Sequence, residues 1–245
     1  MPTPTQLDKY FDTAVPASLG FSWDSGGISL LVNDCESNRI VVALDATSAA
    51  IDFASSIGAG ILVTHHPAIF GKIEAIRADD AVGKRLINAV RSGVSLLGYH
   101  TRLDNAPCGV NDTLCSLVGI EDTTEFIPCA RLGKISSPVT PEAFGKLVGE
   151  ALNSDRITVF ANAPFVCRVA VCSGSGGNIV RDAYLAGADT VLTGEAKYNY
   201  ELDAAEYGIN LITAGHKETE QIVLPVLKDI ILKGFPSAEV FVYYA

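Results

Sequence analysis

The chain has 245 residues, of which 48% are hydrophobic, and a formal charge of −10; its mean hydropathy is +0.28. That hydrophobic content supports a large buried core and excludes intrinsic disorder. The acidity excludes a nucleic-acid partner, because such binding relies on Lys and Arg neutralising phosphates. No apolar run reaches the roughly 18 residues needed to cross a bilayer, so no membrane partner is expected.

The opening Met-Pro-Thr-Pro-Thr-Gln has neither a basic segment nor an apolar one, which predicts a cytoplasmic protein without a secretory signal. The six cysteines, Cys35, Cys108, Cys115, Cys129, Cys167 and Cys172, form no C-x-x-C pair. In the cytoplasm they stay reduced and are expected as small buried apolar residues.

An internal repeat organises the chain. Ile40-Val-Val-Ala-Leu-Asp45 reads as a strand, followed by a helix and by a second strand, Gly58-Ala-Gly-Ile-Leu-Val-Thr-His-His66. In that helix Thr47 or Asp45 caps the start, Ile51, Ala54 and Ile57 share a face, and Gly58 ends it. Gly93-Val-Ser-Leu-Leu-Gly-Tyr-His100 reads as a third strand. Later the pattern returns. Val169-Ala-Val-Cys-Ser173 is followed by a helix with Ile179, Ala183 and Ala186 on one face, then by Gly187-Ala-Asp-Thr-Val-Leu-Thr-Gly-Glu195 and by Gly208-Ile-Asn-Leu-Ile-Thr-Ala-Gly-His216. Gly58, Ala59 and Thr64 align with Gly187, Ala188 and Thr193 without a gap. Near-continuous apolar strands alternating with helices are the mark of a buried parallel sheet. The fold class is therefore α/β: two repeats, each a mixed, mostly parallel sheet flanked by helices. Turn residues near 125–140 place the division between residues 1–127 and 128–245, with the C-terminal helix packing across the interface.

All four histidines, His65, His66, His100 and His216, fall at the ends of predicted strands. Ligand sites in open α/β sheets form at the carboxyl ends of strands. Neighbouring strand residues point to opposite sides, so His65 and His66 reach different ions only if the strand breaks, and Pro67 supplies the break. His216 and Glu220 lie one helical turn apart, a spacing that suits a metal pair and equally suits an exposed helix-surface pair. Pro225 implies a kink, or a short first segment, in the helix that follows. Asp104 leads into a turn and fits a capping role, a ligand role or both. His100 is either a ligand or a group that orients one, and the second role is favoured. Ser173-Gly-Ser-Gly-Gly-Asn178 lacks full phosphate-loop spacing and reads first as a tight turn. Glu195 is the repeat mate of His66, either a cleft-facing contact or proton shuttle or a solvated carboxylate.

Read together, Thr64-His-His-Pro-Ala-Ile-Phe70, His100-Thr-Arg-Leu-Asp104 with Gly109-Val-Asn-Asp112, Gly174-Ser-Gly176, Thr193-Gly-Glu195, Gly215-His-Lys-Glu-Thr-Glu220 and Ser22-Trp-Asp-Ser-Gly-Gly27 resemble a known family. It comprises the NGG-interacting-factor-like dinuclear metal-centre proteins, also described as type 2 GTP cyclohydrolase I homologues. The resemblance covers nearly the whole chain and fits the short bacterial form. It implies two intertwined α/β repeats with a metal site at their interface, assembled into a ring-shaped homohexamer. It also implies two divalent metal cations held by His65, His66, Asp104, His216 and Glu220, with Glu220 bridging. Zinc, iron, manganese, cobalt and nickel all suit such ligands. Arg102 stands where the family usually has Asn, Cys108 where Gly is common, and Asn199 where many members carry His; these departures touch substrate contacts, not the five ligands.

A metal pair of this type activates water for hydrolysis. The expected function is a metal-dependent hydrolase related to type 2 GTP cyclohydrolase I, acting on a nucleotide or similar small substrate. Glu195 and His100 are then the catalytic proton-transfer candidates. The alternative is a non-catalytic metal-handling or scaffold protein with the same ligands.

Overall fold

The computed structural model describes residues 1–245 and divides into two compact units. The first comprises Met1–Ala106 with Leu224–Ala245, and the second Pro107–Val223. The division expected at 127/128 thus falls earlier. The strand containing residues 121–127 pairs with its neighbour at 130–139 inside the second unit, and the chain's last strand returns to the first sheet. Main-chain pairing, which turn residues alone do not reveal, sets these boundaries.

The first unit begins with α1 (Pro4–Ala14). The Gln6 N–H donates to the Thr3 hydroxyl and the Thr3 N–H donates to the Gln6 side chain, a reciprocal cap with Pro4 beginning the helix. Then come β1 (Gly27–Leu30), β2 (Arg39–Ala43), α2 (Ser48–Ser56), β3 (Ile61–Thr64), α3 (Ala81–Ser92), β4 (Ser95–Gly98) and α4 (Thr101–Asn105). Thr47, not Asp45, caps α2, accepting from the Ala50 N–H, and Gly58 follows the helix at φ +70°.

The second unit contains α5 (Val110–Leu117), β5 (Glu121–Ile127), β6 (Ala130–Val139), α6 (Pro141–Leu152), β7 (Thr158–Phe160), β8 (Val166–Cys172), α7 (Val180–Leu185), β9 (Thr190–Thr193), α8 (Tyr198–Tyr207), β10 (Asn210–Thr213) and α9 (His216–Glu220). A 3-10 turn over Gln221–Val223 then leads to α10 (Leu224–Gly234) and β11 (Glu239–Tyr243), which belong to the first unit. Of the two alternatives at Pro225, the short first segment is the one found: α9 and the 3-10 turn end ahead of it, and Pro225 lies in the first turn of α10, where no intrahelical N–H is needed. None of these helices is long and apolar enough to cross a membrane.

The repeat reappears as topology. The first sheet runs β1-β4-β3-β2-β11, and the second runs β5-β6-β8-β9-β10-β7. In each, three consecutive parallel strands (β2, β3, β4 and β8, β9, β10) are flanked on one side by an antiparallel strand, β1 or β7. The sheets differ beyond the repeat. Parallel β11 extends the first, while the antiparallel β5–β6 hairpin extends the second and leaves it with more antiparallel than parallel pairings.

Both sheets are buried as their apolar strands demand. In the second, Val169 and Val171 pack on one face with Phe144 and Val148, while Ala170 packs on the other with Ile179 and Ala183. In the first, Val41 and Leu62 pack against Ala50, Ile51 and Ala54 of α2. Cys115 and Cys129 are buried as expected, and burial pushes the Cys115 thiol up to about 12. Cys35 and Cys108 are exposed and Cys167 and Cys172 half-buried, contrary to expectation, and no disulfide joins any of the six. Cys108 adopts φ +59° in a turn where its N–H donates to Asp112, a placement set by backbone geometry rather than by apolarity.

Phe144 has no exposed surface and anchors α6 to the second sheet. Phe144→Ala is expected to lower unfolding free energy by about 3–5 kcal/mol, the usual range for a buried aromatic, as measured by urea titration of the second unit's transition.

Candidate metal centre

In the first unit, β3 stops at Thr64, whose hydroxyl donates to the His66 carbonyl at 2.6 Å. The His66 N–H donates to the Leu44 carbonyl at 2.9 Å. This turn presses Pro67 onto the end of β4, where a Cβ on Gly98 would lie 2.7 Å from the Pro67 Cα; glycine alone permits that approach. Strand alternation therefore ends at Thr64 and does not separate the two adjacent imidazoles. Their ring centroids lie 5.0 Å apart, with His100 5.3 and 5.5 Å from them. One ligand atom from each of His65, His66 and His100 lies within 4.8 Å of the others, so this trio could hold a metal ion.

His65 is wholly buried, and its Nε2 lies 3.5 Å from Asp104 Oδ1. Asp104 sits within α4 and is itself buried; the helix starts at His100 and the next one at Gly109, so Asp104 caps neither. Two carboxylates then fix the other imidazoles. Asp45, at the end of β2, lies 2.9 Å from His66 Nδ1. Asp24 lies 3.3 Å from His100 Nδ1 and accepts from the Thr101 N–H and hydroxyl at 2.8 and 2.6 Å. Burial pushes the Asp24 carboxyl up, but the hydrogen bonds from His100 and Thr101 outweigh it and bring it down to about 2. An imidazole engaged through Nδ1 offers Nε2 to a metal, and such a partner fixes both tautomer and ring direction.

In the second unit, α9 begins at His216, and one turn later Glu220 Oε2 lies 3.2 Å from His216 Nε2. The spacing read from the sequence thus yields a direct contact, with Glu220 buried rather than on a helix surface. Glu195 Oε1 lies 3.1 Å from His216 Nδ1, so this imidazole too is held by a carboxylate at Nδ1. Glu195 is exposed and helps line a cleft of about 710 Å³ that also includes His216, Arg156, Lys217 and Glu201.

The Gly-rich segment acts as a support. The Ser173 N–H donates to the Asn111 side chain, and the Gly174 and Gly176 N–H groups donate to the Thr219 and Thr193 hydroxyls. These donors are engaged within the protein, as in a plain turn. Gly174, at φ +59°, lies against the His216–Glu220 pair, and a Cβ there would fall 2.1 Å from Glu220 Oε1 and 3.2 Å from His216 Nε2.

The sequence motifs therefore bring His65, His66, His100 and Asp104 together in one unit, and His216, Glu220 and Glu195 in the other. The pairing of Asp24 and Asp45 with histidines is not announced by local sequence: Asp24 lies within Ser22-Trp-Asp-Ser-Gly-Gly27, and the only signal for Asp45 is its place at the end of a strand beside the one that leads to His66. Arg102 is buried, pairs with Asp12 at 2.8 Å and lies over the Tyr99 ring. Asn199 is exposed on α8.

Imidazole and carboxylate donors fit zinc, iron, manganese, cobalt or nickel. In the metal-free chain, the hydrogen bond to Glu220 raises His216 to about 9, with Glu195 adding to the effect. A value raised above that of the unfolded chain stabilises the fold at pH below about 6.5, and the stabilisation fades as pH rises through about 9. Chelator-treated protein should therefore lose Tm across that window, and Glu220→Gln should flatten the loss. A second expectation concerns Gly174→Ala, which should displace the Glu220 carboxylate and weaken metal affinity at least tenfold by calorimetry while leaving the far-ultraviolet circular dichroism unchanged.

Comparison with known proteins agrees with this architecture. Residues 3–244 match the family model described as Duf34/NIF3 (NGG1p interacting factor 3). A protein of Clostridium perfringens named GTP cyclohydrolase 1 type 2 homolog is 29% identical over 238 residues, covering 93% of this chain and 90% of its own. One of the same name from Pseudomonas aeruginosa is 32% identical over 210 residues, covering 83% and 82%. The crystal structure of a Bacillus cereus protein related to NIF3 superposes with a TM-score of 0.90 over 100% of this chain and 97% of its own, at 19% identity, which establishes likeness of fold alone. The match along almost its full length shows that this chain belongs to the Duf34/NIF3 family.

Proposed function

We propose that the chain is a metal-dependent hydrolase acting on a nucleotide or similar small substrate, with His65, His66, Asp104, His216 and Glu220 as the ligands of two divalent cations. The observation that carries this reading is the repeated pairing of an imidazole Nδ1 with a carboxylate: Asp45 with His66, Asp24 with His100 and Glu195 with His216. Metal-binding histidines almost always have such a partner, as the proposed ligands His66 and His216 do; the third pair fixes His100, a proton-transfer candidate.

When bound, the cations lower the pKa of coordinated water and polarise a substrate oxygen. The chain's own residues do the rest. Glu195 steadies His216 through one oxygen and, being exposed on the cleft, is placed to accept and return a proton. His100, held by Asp24, lies beside His65 and His66 and is the second proton-transfer candidate. The open cleft beside His216 favours catalysis over storage, since a storage site closes its coordination shell. The relatives named as GTP cyclohydrolase 1 type 2 homologs suggest a purine-ring opening that releases formate, with GTP as the first substrate to try.

The test is turnover of GTP and other nucleotides by protein loaded with zinc, manganese or iron. Formate release is expected with at least one metal, abolished by chelator, and reduced at least 100-fold by His66→Ala. No turnover of any nucleotide with the site fully loaded would retire the hydrolase.

A further inference from the structure

Two large aromatic side chains stand in water beside the histidine trio. Trp23 is 64% exposed and Phe70 is 61% exposed. His100 lies between them, its ring edge-on to Trp23 at 6.2 Å and to Phe70 at 5.6 Å, with interplanar angles of 69° and 86°. Phe21 stacks on Trp23 at 5.7 Å and 15°. All four rings belong to the first unit.

The loop that carries Phe21 and Trp23 is anchored through its backbone. The Phe21 N–H donates to the Thr101 hydroxyl at 3.0 Å, and the Asp24 N–H donates to the Phe21 carbonyl at 3.0 Å. Asp24 in turn accepts from Thr101 and lies against His100. The loop carrying Phe21 and Trp23 is thus tied at both ends to the start of α4. Phe70 follows the His65-His66-Pro67 turn and lies 6.2 Å from the His66 ring. Exposed apolar rings fixed beside a polar cluster mark a ligand site.

We infer that Trp23, Phe21 and Phe70 form a stacking wall that takes the flat ring of a heteroaromatic small molecule, with its polar edge turned to the histidines. This deepens the proposed function and rests on that reading for the ring's orientation toward the ligand cluster. A flat heteroaromatic ring has two apolar faces and a polar rim, which suits aromatic side chains standing over imidazoles and carboxylates. A wholly apolar ligand would displace water from those polar groups and offer them nothing in return, and the net charge of −10 opposes a nucleic-acid strand. Base–aromatic stacking tolerates many rings, so the wall selects for a ring and the polar cluster selects its edge.

Trp23 is the sole tryptophan of the chain and reports directly on this wall. Guanosine titrated into zinc-loaded and chelator-treated protein is expected to quench its fluorescence saturably, whereas ribose leaves it unchanged. By calorimetry, Phe70→Ala and Trp23→Ala should each weaken guanosine binding about tenfold. Trp23→Phe should retain it, and Phe165→Ala, an exposed aromatic of the second unit, should not alter it. Equal quenching by ribose, unsaturable quenching, or unchanged binding in Phe70→Ala overturns the inference. So does a fluorescence that responds to protein dilution but not to guanosine, since a second copy of the chain would then cover the wall. Intact guanosine binding without turnover under any metal would leave the wall standing and remove the hydrolase. Turnover with unaltered KM in both alanine variants would do the reverse.

Discussion

The constraint on which the candidate site depends is the hydrogen bond between a carboxylate and the Nδ1 of an imidazole. A neutral imidazole has one donor and one acceptor, and a carboxylate can only accept. Pairing Nδ1–H with Asp45 or Asp24 therefore leaves Nε2 as the lone-pair nitrogen, the state a divalent cation requires. His216 shows the competing state. With Glu195 at Nδ1 and Glu220 at Nε2, both nitrogens face acceptors, so the ring holds its proton to about 9. A cation arriving there must displace that proton, and the same two carboxylates that favour the proton also favour the cation. The site is thus poised between two positively charged occupants.

Backbone geometry brings these groups together. The parallel strands β2, β3 and β4 end at one edge of their sheet, so Asp45, His65, His66 and His100 follow strand ends directly. In the second sheet β9 and β10 do the same for Glu195 and His216. Glycines then allow close approach. Gly98 admits the His-His-Pro turn against β4, and at Gly194 a Cβ would lie 2.6 Å from the Gly174 carbonyl and 2.8 Å from the His216 Cα. A side chain at either position would push a ligand-bearing segment outward by more than hydrogen bonding tolerates. Local rigidity follows, because the strands behind these turns are fully buried.

Much of this was legible in the sequence, and the exceptions have physical causes. The strand–helix–strand repeat was readable because β2, β3, β8 and β9 are near-continuous apolar runs, a signal that needs no tertiary information. His216 and Glu220 were readable because helical spacing is local. Asp24 and Asp45 were not assigned, since their histidines lie 76 and 21 residues away and only folding makes the pairs. Asp45 was also open to a local capping role that Thr47 takes instead. The unit boundary failed for the same reason: β11 joins β2 in parallel register, and no local pattern announces a partner about 200 residues away. The strand rule separates His65 from His66, but β3 ends at Thr64, ahead of both histidines, rather than at the break that Pro67 suggests.

The two groups of candidate site residues differ in exposure, and the difference has chemical consequences. His65 is wholly buried with Asp104 beside it, whereas the His216 side chain is 37% exposed and that of Glu195 57% exposed. A buried imidazole–carboxylate pair exchanges protons with solvent slowly and keeps its geometry, which suits holding a charge in place. An exposed pair on a cleft is screened by water and can gain or lose a proton at each encounter with a ligand. In the proposed reading, proton transfer therefore suits Glu195, the more exposed member of its pair, and positional constancy suits His65 and Asp104. His100 falls between these roles. It is tied to a buried Asp24 on one side and flanked by exposed Trp23 and Phe70 on the other, so its ring is rigid yet reachable. A rigid, reachable imidazole is suited to meet the edge of a ligand rather than to carry the main charge of the centre.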